Sequence, residues 1–595
     1  MRKAQTANGD LGRDSTQRGY GPSWARVYPA PTTFLLREPL KMSRAQRELS
    51  HLAVFPVDSP VYLKPTVTIE PLFCRWLAWS HLLSPAQAAM NITFRYLPLL
   101  QSFVSNPQVH VAATQDPKMY GGPFVQLTRD DVPQVKELIA TTKRQFSRLL
   151  QLAQDIKTLD CTLQDSAKGF SLNDAYSSVP PSLAGMVELM YDLNNHPRIH
   201  LIEELLLAEY GGDLRKGMQE ISLSAPKESE RRFFMSTPRI KSADTLTITT
   251  EYSDPALDCL FSMRATPVYL RELEDKFRLT ELVTRFGHLF TDLPPESAAP
   301  DYAGDEVRIR YFGHACVLIQ TAQSTILIDP MFAYGAADEA ADTLCDRLTS
   351  SDLPEKIDYV VLTHCHQDHF CAEMLLQIRP RIRKIVIPLN NRGSLSDPSM
   401  KLCLAQLGFY DVITLGYFDS ISFSDGRVVS IPFPGEHSDL DIYSKQSIFV
   451  EVKGRRLLFL VDSDGWDSML YQRIAQQILG PERHVDALFL GMECNGAPLT
   501  WLYGPLLSRP ISRRDDDSRR LSGSNYERAL RIIGQFECSR VYVYAMGQEP
   551  WLKHIMGLEY ATDSIQLTES NKLVDHCRSE GMVCERLYGS RDLLI

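Results

Sequence analysis

The stretch THCHQDHF, Thr363–Phe370, follows directly on an apolar strand candidate and decides the fold. Side chains at i and i+2 of an extended segment face the same side, so His364 and His366 can converge on one metal ion. Asp368 and His369 lie beyond the turn and can reach a second ion. Three imidazoles and a carboxylate so close together after a buried strand predict a dinuclear metal site.

Short β-branched runs alternate with amphipathic stretches on both sides of this motif. The strand candidates are VRIRYF, CVLIQ, STILIDP, DYVVLTH, KIVIPL, SIFVEV, RLLFLVD, ALFL and VYVY. Two pairs read as hairpins, Val317–Ile328 across TAQS and Ile448–Leu460 across Lys453 and Gly454. The pattern predicts an α/β domain whose sheets contain antiparallel as well as parallel neighbours.

The rest of the chain divides by composition. Helical periodicity over Val132–Leu152 and Leu183–Tyr210, with a strand at Thr245–Thr250, predicts a mixed, helix-rich N-terminal domain. Both Met1 and Met42 are candidate first residues of the natural protein. The predicted parts are a disordered extension at 1–51, the N-terminal domain at 52–292, a Pro- and Ala-rich linker at 293–306, and the metal domain at 307–595.

Composition bounds the class of protein. The 595 residues are 44% hydrophobic and 23% charged, which is typical of a globular protein, and the net charge of -10 argues against a nucleic-acid partner. The 12 Cys residues form no CxxC pair, so a disulfide framework is not indicated. With no apolar signal region at the N-terminus and no run of eighteen apolar residues, we expect a cytoplasmic protein without a membrane partner.

The HxHxDH motif after a strand resembles the metallo-β-lactamase superfamily, an αββα sandwich with a dinuclear metal site at one sheet edge. The resemblance implies further ligands later in the chain: Glu436 or His437 in FPGEHSD, Asp462 in LFLVDSDG and His554 in WLKH. It also implies that Asp329 in ILIDP supports the ligands from behind. The alternatives are a capping role for Asp462 and an ordinary helix position for His554.

The ligand in the FPGEHSD loop distinguishes members of the superfamily from one another. Hydrolytic dizinc members have a His at this position, whereas this chain has Glu436 followed by His437. A Glu in that position, with a large N-terminal domain, resembles the diiron β-hydroxylase of chloramphenicol biosynthesis. Four His and three carboxylates suit iron, although zinc tolerates them. The resemblance implies a ligand set of His364, His366 and Glu436 for one iron, Asp368, His369 and His554 for the other, and Asp462 as the bridge, with Glu436 and Asp462 as the catalytic carboxylates.

The resemblance also implies the reaction. A diiron oxygenase of this type hydroxylates the β-carbon of an amino acid tethered as a thioester to a peptidyl carrier domain of a nonribosomal peptide synthetase. Molecular oxygen is the co-substrate, and a separate reductase or electron carrier supplies electrons. The N-terminal domain would cover the metal pocket and form a homodimer. The alternative is a dizinc hydrolase of the same fold, acting on an ester, thioester, lactone or phosphodiester, with His437 as the loop ligand.

Some residues near these motifs carry two interpretations. His314 is either a hydrogen-bonded structural residue or part of the outer metal site, and Glu493, after ALFLGM, either lines the pocket or is a solvated strand end. The segment Ser508–Ser524, with five Arg and three consecutive Asp, is predicted to be a solvated, mobile insertion, with a lid or docking loop as the alternative. The basic run Arg379–Lys384 is a second candidate docking surface.

Overall fold

A computed structural model describes residues 59–227, 230–280, 282–295, 301–336, 345–557 and 559–595, and only the backbone of Val283. The predicted extension at 1–51 and the middle of the predicted linker, 296–300, lie outside the described residues. The domain boundaries therefore stay predictions.

The N-terminal half combines small antiparallel sheets with helices. Its strands are β1 (Pro60–Leu63), β2 (Thr68–Phe73), β3 (Trp76–Leu77), β4 (Val187–Tyr191), β5 (Pro197–Leu201), β6 (Gln219–Ser224), β7 (Leu246–Thr249), β8 (Val268–Tyr269) and β9 (Phe290–Thr291). Its helices are α1 (Ser80–Leu83), α2 (Pro85–Asn91), α3 (Leu97–Ser105), α4 (Pro107–Thr114), α5 (Val132–Gln145), α6 (Ser147–Ser166), α7 (Glu203–Arg215), α8 (Ala256–Ser262), α9 (Leu270–Phe277) and α10 (Leu282–Phe286). The sheet orders are β3-β2-β6-β7, β8-β1-β9 and β4-β5.

Two of the three predicted N-terminal elements agree with the structure. The strand predicted at Thr245–Thr250 is β7, and the helix predicted at Val132–Leu152 is the α5–α6 pair, broken at Phe146. The helix predicted over Leu183–Tyr210 is wrong in its first part, which forms the β4–β5 hairpin. The Asp192 carboxylate accepts hydrogen bonds from the backbone N–H groups of Asn194 and His196, at 2.8 and 2.9 Å, and this local turn competes with the helix.

The C-terminal half is the α/β part. Its strands are β10 (Arg308–Tyr311), β11 (Val317–Gln320), β12 (Thr325–Ile328), β13 (Ile357–Val361), β14 (Ile382–Pro388), β15 (Val412–Leu415), β16 (Ser420–Phe423), β17 (Gly426–Ile431), β18 (Ser447–Val452), β19 (Arg455–Phe459), β20 (His484–Val485), β21 (Ala487–Gly491), β22 (Glu537–Cys538), β23 (Arg540–Tyr544), β24 (Val583–Arg586) and β25 (Arg591–Leu594). Its helices are α11 (Ala372–Gln377), α12 (Met400–Gln406), α13 (Ser468–Leu479), α14 (Leu499–Tyr503), α15 (Arg513–Ser518), α16 (Tyr526–Ile533), α17 (Lys553–Met556) and α18 (Ile565–Ser579).

Two seven-stranded sheets form a sandwich. Their orders are β15-β14-β13-β12-β11-β10-β25 and β16-β17-β18-β19-β21-β23-β24. Branched and aromatic side chains from both inner faces, such as Ile328 and Val361 from the first sheet and Val450 and Phe489 from the second, share one buried core. Helices α13, α16 and α18 cover the outer face of the second sheet. The predicted αββα metallo-β-lactamase sandwich is confirmed, and so are both hairpins, with Val317 opposite Ile328 and Val452 opposite Arg455.

Strand direction gathers several loops at one edge. Strands β12 and β13 run parallel, and so do β19, β21 and β23. Strand β17 is antiparallel to β18, which is antiparallel to β19, so β17 and β19 end on the same side. The loops that follow β12, β13, β17, β19 and β21 therefore meet at the carboxyl ends of their strands.

The N-terminal half packs against the outer face of the first sheet, where residues of β2 and α2 share a hydrophobic cluster with Leu318, Leu327 and Val360. The described residues belong to one compact unit. The Oγ of Ser80 donates a hydrogen bond of 2.7 Å to the carbonyl oxygen of Cys365, inside the His-rich motif. None of the helices in the described part of the chain is long and apolar enough to cross a membrane.

Candidate metal centre

Asp329, at the end of β12, orients the His-rich loop. Its carboxylate accepts hydrogen bonds from the backbone N–H of Thr363 at 2.8 Å, from the Thr363 hydroxyl at 2.6 Å, and from Nδ1 of His369 at 2.8 Å. Because the Thr363 hydroxyl donates to Asp329, it accepts from Nδ1 of His364, at 3.0 Å. Both imidazoles are thereby held with Nε2 free to bind a metal, which is the supporting role that the resemblance implied for Asp329.

His366 presents Nδ1 to the site, whereas His364 and His369 present Nε2. Its Nε2 lies 3.1 Å from the hydroxyl of Tyr503, at the end of α14, so Nδ1 is the nitrogen left for a metal. That Nδ1 lies 2.6 Å from Oε1 of Glu436, and Nε2 of His364 lies 3.4 Å from Oε2 of the same carboxylate. The possible ligand atoms of these three residues lie within 4.8 Å of one another, so the residues can share one metal. The 2.6 Å contact has the length of a hydrogen bond, and it would widen to about 3 to 3.5 Å between two donors that each lie about 2.1 Å from an ion.

His437 belongs to the same group of possible ligand atoms as His364, His366 and Glu436. Its Nδ1 lies 3.4 Å from Glu436 Oε2 and 3.3 Å from the carbonyl oxygen of Gly435. Its Nε2 is buried and has no hydrogen-bond partner in the described part of the chain. The structure therefore brings both candidate loop ligands, Glu436 and His437, to the first metal position. The Glu436 carboxylate lies between the imidazoles of His364 and His366.

His369 belongs to two further groups of possible ligand atoms, one with His314 and Asp368 and the other with His364 and Asp462, and together these groups form the candidate second position. Nε2 of His369 lies 3.0 Å from Oδ2 of Asp462 and 3.7 Å from Oδ2 of Asp368. Asp462 also forms a group with His364, whose ring centroid lies 4.1 Å from that of His369. The Asp462 carboxylate therefore lies within 4.8 Å of one imidazole from each position, which is consistent with the bridging role that the resemblance implied.

Glu493, two residues beyond β21, adds a carboxylate to this edge. Burial raises its pKa well above the usual range, and the nearby carboxylates of Asp462, Asp368 and Glu436 raise it further. Sequence reasoning left Glu493 open between a pocket residue and a solvated strand end, and the structure favours the pocket. The sequence contained an indication of this position, since Glu493 follows a fully apolar strand. That strand is buried and runs parallel to the strand before Asp462.

His554, the predicted ligand in α17, is not brought into any of the ligand groups found among the described residues. It is 2% exposed, and Nδ1 lies 3.0 Å from the carbonyl oxygen of Trp551. Burial lowers its pKa well below the usual range, and the charged groups that act on it are Arg231, Glu70 and Arg239. Its Nε2 is buried and has no hydrogen-bond partner among the described residues, so its assignment as a ligand stays a prediction.

A buried charge network surrounds Arg231 and links the two halves of the chain. Nη2 of Arg231 lies 2.9 Å from Glu70 in β2 and 2.8 Å from Glu373 in α11, the helix that follows the His-rich motif. The Glu373 side chain is fully buried, and the hydroxyl of Tyr334 donates to it at 2.6 Å. Burial opposes ionisation of Glu70, but Arg239 and Arg231 outweigh it and hold the pKa of Glu70 well below the usual range.

His314 contacts the second metal position directly. Its Nε2 lies 3.1 Å from Oδ2 of Asp368, and its backbone N–H donates to Glu549 at 3.2 Å. It therefore belongs to the surroundings of the metal ligands as well as to the core.

Strained backbone is concentrated in these loops. Left-handed φ values occur at His314 (50°), Asp329 (40°), Glu436 (61°) and Val461 (51°), none of which is glycine. Each such residue costs about 1 to 3 kcal/mol and persists where the surroundings hold it in place. The strain aims the side chains of Asp329 and Glu436, and that of Asp462 one residue after Val461, into one site.

The chemistry of these residues fits divalent metal ions. Nε2 of His364, Nε2 of His369 and Oε2 of Glu436 are buried without a hydrogen-bond partner among the described residues. Burial and the neighbouring carboxylates of Asp462 and Asp368 raise the pKa of Glu436, while His366 lowers it. Cations between these carboxylates would remove their mutual repulsion and satisfy the unpaired nitrogen atoms.

The basic run Arg379–Lys384 is used mainly inside the fold. Arg379 binds the Asp258 carboxylate at 2.7 Å and the carbonyl oxygen of Leu407 at 2.9 Å, and Arg381 donates to the carbonyl oxygen of Ser350 at 2.7 Å. The prediction that this run forms a docking surface is therefore not supported for these two arginines.

The fold and the site define a metal-binding protein whose C-terminal half is a metallo-β-lactamase sandwich. Two family models match the chain: the N-terminal domain of diiron non-heme β-hydroxylases over residues 62–294, and the β-lactamase superfamily domain over residues 308–437. The 4-amino-L-phenylalanyl-(CmlP-peptidyl-carrier-protein) 3-hydroxylase of Streptomyces venezuelae is 34% identical over 536 residues, 89% of this chain and 99% of that protein. The chain belongs to the diiron non-heme β-hydroxylase family.

A solved structure agrees over nearly the whole length. The crystal structure of CmlA, a diiron β-hydroxylase from Streptomyces venezuelae, superposes with a TM-score of 0.81 at 32% identity, and the match covers 90% of this chain and 100% of that one. The fold prediction and the resemblance to the diiron β-hydroxylases are confirmed, and the chain is a diiron monooxygenase by family. The dizinc hydrolase alternative has no comparable support.

Proposed function

We propose that this enzyme hydroxylates the β-carbon of an amino acid held as a thioester on a peptidyl carrier domain of a nonribosomal peptide synthetase, in natural-product biosynthesis. The full-length relative is named as a 3-hydroxylase of a carrier-bound amino acid, and the 3-position of an amino acid is its β-carbon. The observation that carries the proposal is the position of Glu436, whose two oxygens face His366 and His364 at 2.6 and 3.4 Å.

The proposed ligands follow from the two positions. His364, His366 and Glu436 would hold one iron, Asp368 and His369 would hold the other, and Asp462 would lie within reach of both. Glu493, which like His554 lies outside the ligand groups of the described residues, is our proposed replacement for His554, because its carboxylate interacts with those of Asp462, Asp368 and Glu436. Four carboxylates would balance the four positive charges of a diferrous pair, which favours hard, oxygen-rich coordination of iron.

Bound iron would supply the activation of molecular oxygen, and the residues around it control orientation and charge. Asp329, Thr363 and Tyr503 hold the three imidazoles in the tautomers that face the metal positions. Nε2 of His314 lies 3.1 Å from Oδ2 of Asp368 and helps to hold that carboxylate in place. A carrier-bound thioester would add positioning, because binding of the carrier keeps a weakly bound amino acid beside the metals.

The reaction needs an external electron donor. Placing one oxygen atom of O2 into a C–H bond and reducing the other to water consumes two electrons and two protons. The sequence contains no GxGxxG nucleotide-binding fingerprint after a first strand, so we infer that a separate reductase or small electron carrier delivers the electrons. The homodimer and the cytoplasmic location remain predictions.

The first experiment measures metal content and optical absorption of protein purified from iron-supplemented cells. About two irons per chain, matching the two ligand positions, support the proposal. Carrier domains loaded with different amino acids are then incubated with the enzyme, a chemical reductant and oxygen labelled with oxygen-18. A product one labelled oxygen atom heavier, with the label on the β-carbon, is the expected result. Two zinc ions that iron cannot displace, together with hydrolysis of the thioester, would contradict it.

A further inference from the structure

The segment Arg519–Ser524 lies among the three loops that carry Glu436, Asp462 and Glu493. It is the last part of the region for which the sequence predicted a solvated, mobile insertion. Instead, Ser512 caps the short helix α15, the side chain of Ser524 is 0% exposed, and Gly523 is buried. We call Arg519–Ser524 the brace segment.

The brace segment restrains the Glu436 loop at two points. The backbone N–H of Glu436 donates to the carbonyl oxygen of Ser522 at 3.2 Å, and Nε of Arg519 donates to the carbonyl oxygen of Ser438 at 3.0 Å. Both Glu436 and Ser438 have left-handed φ values, 61° and 54°, which are unfavourable for side chains with a Cβ atom. Such a loop keeps its conformation only when contacts from outside hold it.

The same segment binds the loop after β21. The backbone N–H of Gly523 donates to the carbonyl oxygen of Glu493 at 2.9 Å, and the N–H of Gly496 donates to Oγ of Ser522 at 3.2 Å. The approach is close: a Cβ atom on Gly496 would lie 1.5 Å from the carbonyl oxygen of Leu521. Glycine is therefore required at 496 for the two segments to touch.

Ser524 completes the connection at the Asp462 loop. Its hydroxyl donates to the carbonyl oxygen of Ser463 at 2.9 Å and accepts from the backbone N–H of Gly465 at 3.1 Å. Arg528 reinforces the contact, since its guanidinium lies 2.7 Å from Asp464 and donates to the carbonyl oxygen of Gly523 at 3.0 Å. One short segment thus contacts residues in or next to all three carboxylate positions.

We propose that the brace segment sets the relative positions of Glu436, Asp462 and Glu493, and that Ser524 and Arg519 are positioning residues for the metal centre. The proposal rests on the proposed ligand set. Its physical basis is that the three loops follow different strands. The strands of the sandwich fix the first residue of each loop, but they do not fix the positions of the loops relative to one another. Contacts from a fourth segment remove the remaining freedom, as groups behind metal ligands generally do.

Ser524→Ala tests the side chain with a matched control. Ser570 in α18 is also fully buried, and its hydroxyl likewise donates once, to Leu567 at 3.1 Å, and accepts once, from Arg586 at 3.0 Å. Both variants and the unchanged protein are loaded with ferrous iron without oxygen. The rate of iron extraction by a chelator and the optical spectrum after oxidation are measured, together with the thermal midpoint. We expect about 10-fold faster extraction and an altered spectrum for Ser524→Ala, and neither change for Ser570→Ala.

Arg519 is tested in the same way. Arg519→Gln removes the contact with Ser438, while Arg513→Gln changes an arginine of the same region whose side chain is 95% exposed. Faster iron loss from Arg519→Gln alone supports the proposal. Equal extraction rates within both pairs would overturn it, as would faster loss that only follows a lower thermal midpoint. If the unchanged protein binds zinc and does not hydroxylate, the proposed function fails, and the same comparison made with zinc still decides the role of the brace segment.

Discussion

Nδ1 of His366 and Oε1 of Glu436 lie 2.6 Å apart although the two residues follow strands of different sheets. The contact therefore exists only when the sandwich is assembled. It places a carboxylate where hydrolytic members of the superfamily would place an imidazole, and that imidazole, His437, lies next to it. Whether Glu436 or His437 binds the metal distinguishes a diiron oxygenase from a dizinc hydrolase.

Exchange of the loop ligand is the first prediction. Glu436→Ala should abolish hydroxylation and weaken one iron by at least about 10-fold, because it removes a carboxylate whose two oxygens face His364 and His366. His437→Ala should be milder, since Glu436 stays in place. Iron per chain and hydroxylated product are the measurements. The opposite order of severity would contradict the diiron assignment.

The third ligand of the second iron gives another prediction. Glu493→Ala should lower iron content from about two toward about one per chain, since Glu493 interacts with Asp462 and Asp368 at that position. His554→Ala should keep both irons, because the charges around His554 are those of Arg231, Glu70 and Arg239. Metal analysis of the two variants decides the matter. If His554→Ala lost one iron and Glu493→Ala kept both, His554 would be the ligand, as the resemblance implied.

Gly491 is predicted to be required for the position of Asp462. A Cβ atom on Gly491 would lie 2.6 Å from Oδ1 of Asp462 and 2.7 Å from the carbonyl oxygen of Val461, so Gly491→Ala must displace the carboxylate. We expect about 10-fold weaker iron binding in a competition with a chelator. Gly212→Ala in α7 is the control, because a Cβ atom there meets nothing within 4 Å. Equal iron affinity in both variants would show that Asp462 adapts without cost.

The pH dependence of stability should depend on Glu203, at the start of α7. Burial raises its pKa to about 8, and the carboxylates of Asp397 and Glu204 add to the effect, while hydrogen bonds from Ser399 and Ser84 oppose it. The folded protein therefore holds a proton that the unfolded chain releases near its ordinary pKa of 4.5. The stabilisation is complete below that pKa and is lost as the pH rises through about 8, with a slope of at most about 1.4 kcal/mol per pH unit.

Glu203→Gln removes this titration. Between pH 6 and pH 9 the free energy of unfolding of the variant should fall less than that of the unchanged protein, as measured by urea denaturation at each pH. The same slope for both proteins would show that Glu203 is ionised in the folded state.

Much of the candidate site follows from local sequence. A buried strand that ends in HxHxDH places two imidazoles on one side and an Asp-His pair beyond the turn, and neither result depends on distant residues. Alternating short strands and helices predicted an α/β domain with mixed sheets, and the resemblance of the motif to the metallo-β-lactamase superfamily implied the sandwich. Hydrophobic periodicity was less reliable around Leu183–Tyr210, where an Asp turn in the middle of the segment forms a hairpin and only the last part continues as a helix.

What the sequence by itself determined is therefore the fold and the motif that supplies the first four candidate ligands. Only the tertiary structure decided which later residues lie near them, because Glu436, Glu493 and His554 each lie in a separate element. The left-handed backbone at Glu436, the parallel pairing of β19 with β21 and the buried charges around His554 come from packing between elements. Periodicity within one element specifies which face is buried, but contacts between loops depend on how the two sheets and the N-terminal half assemble.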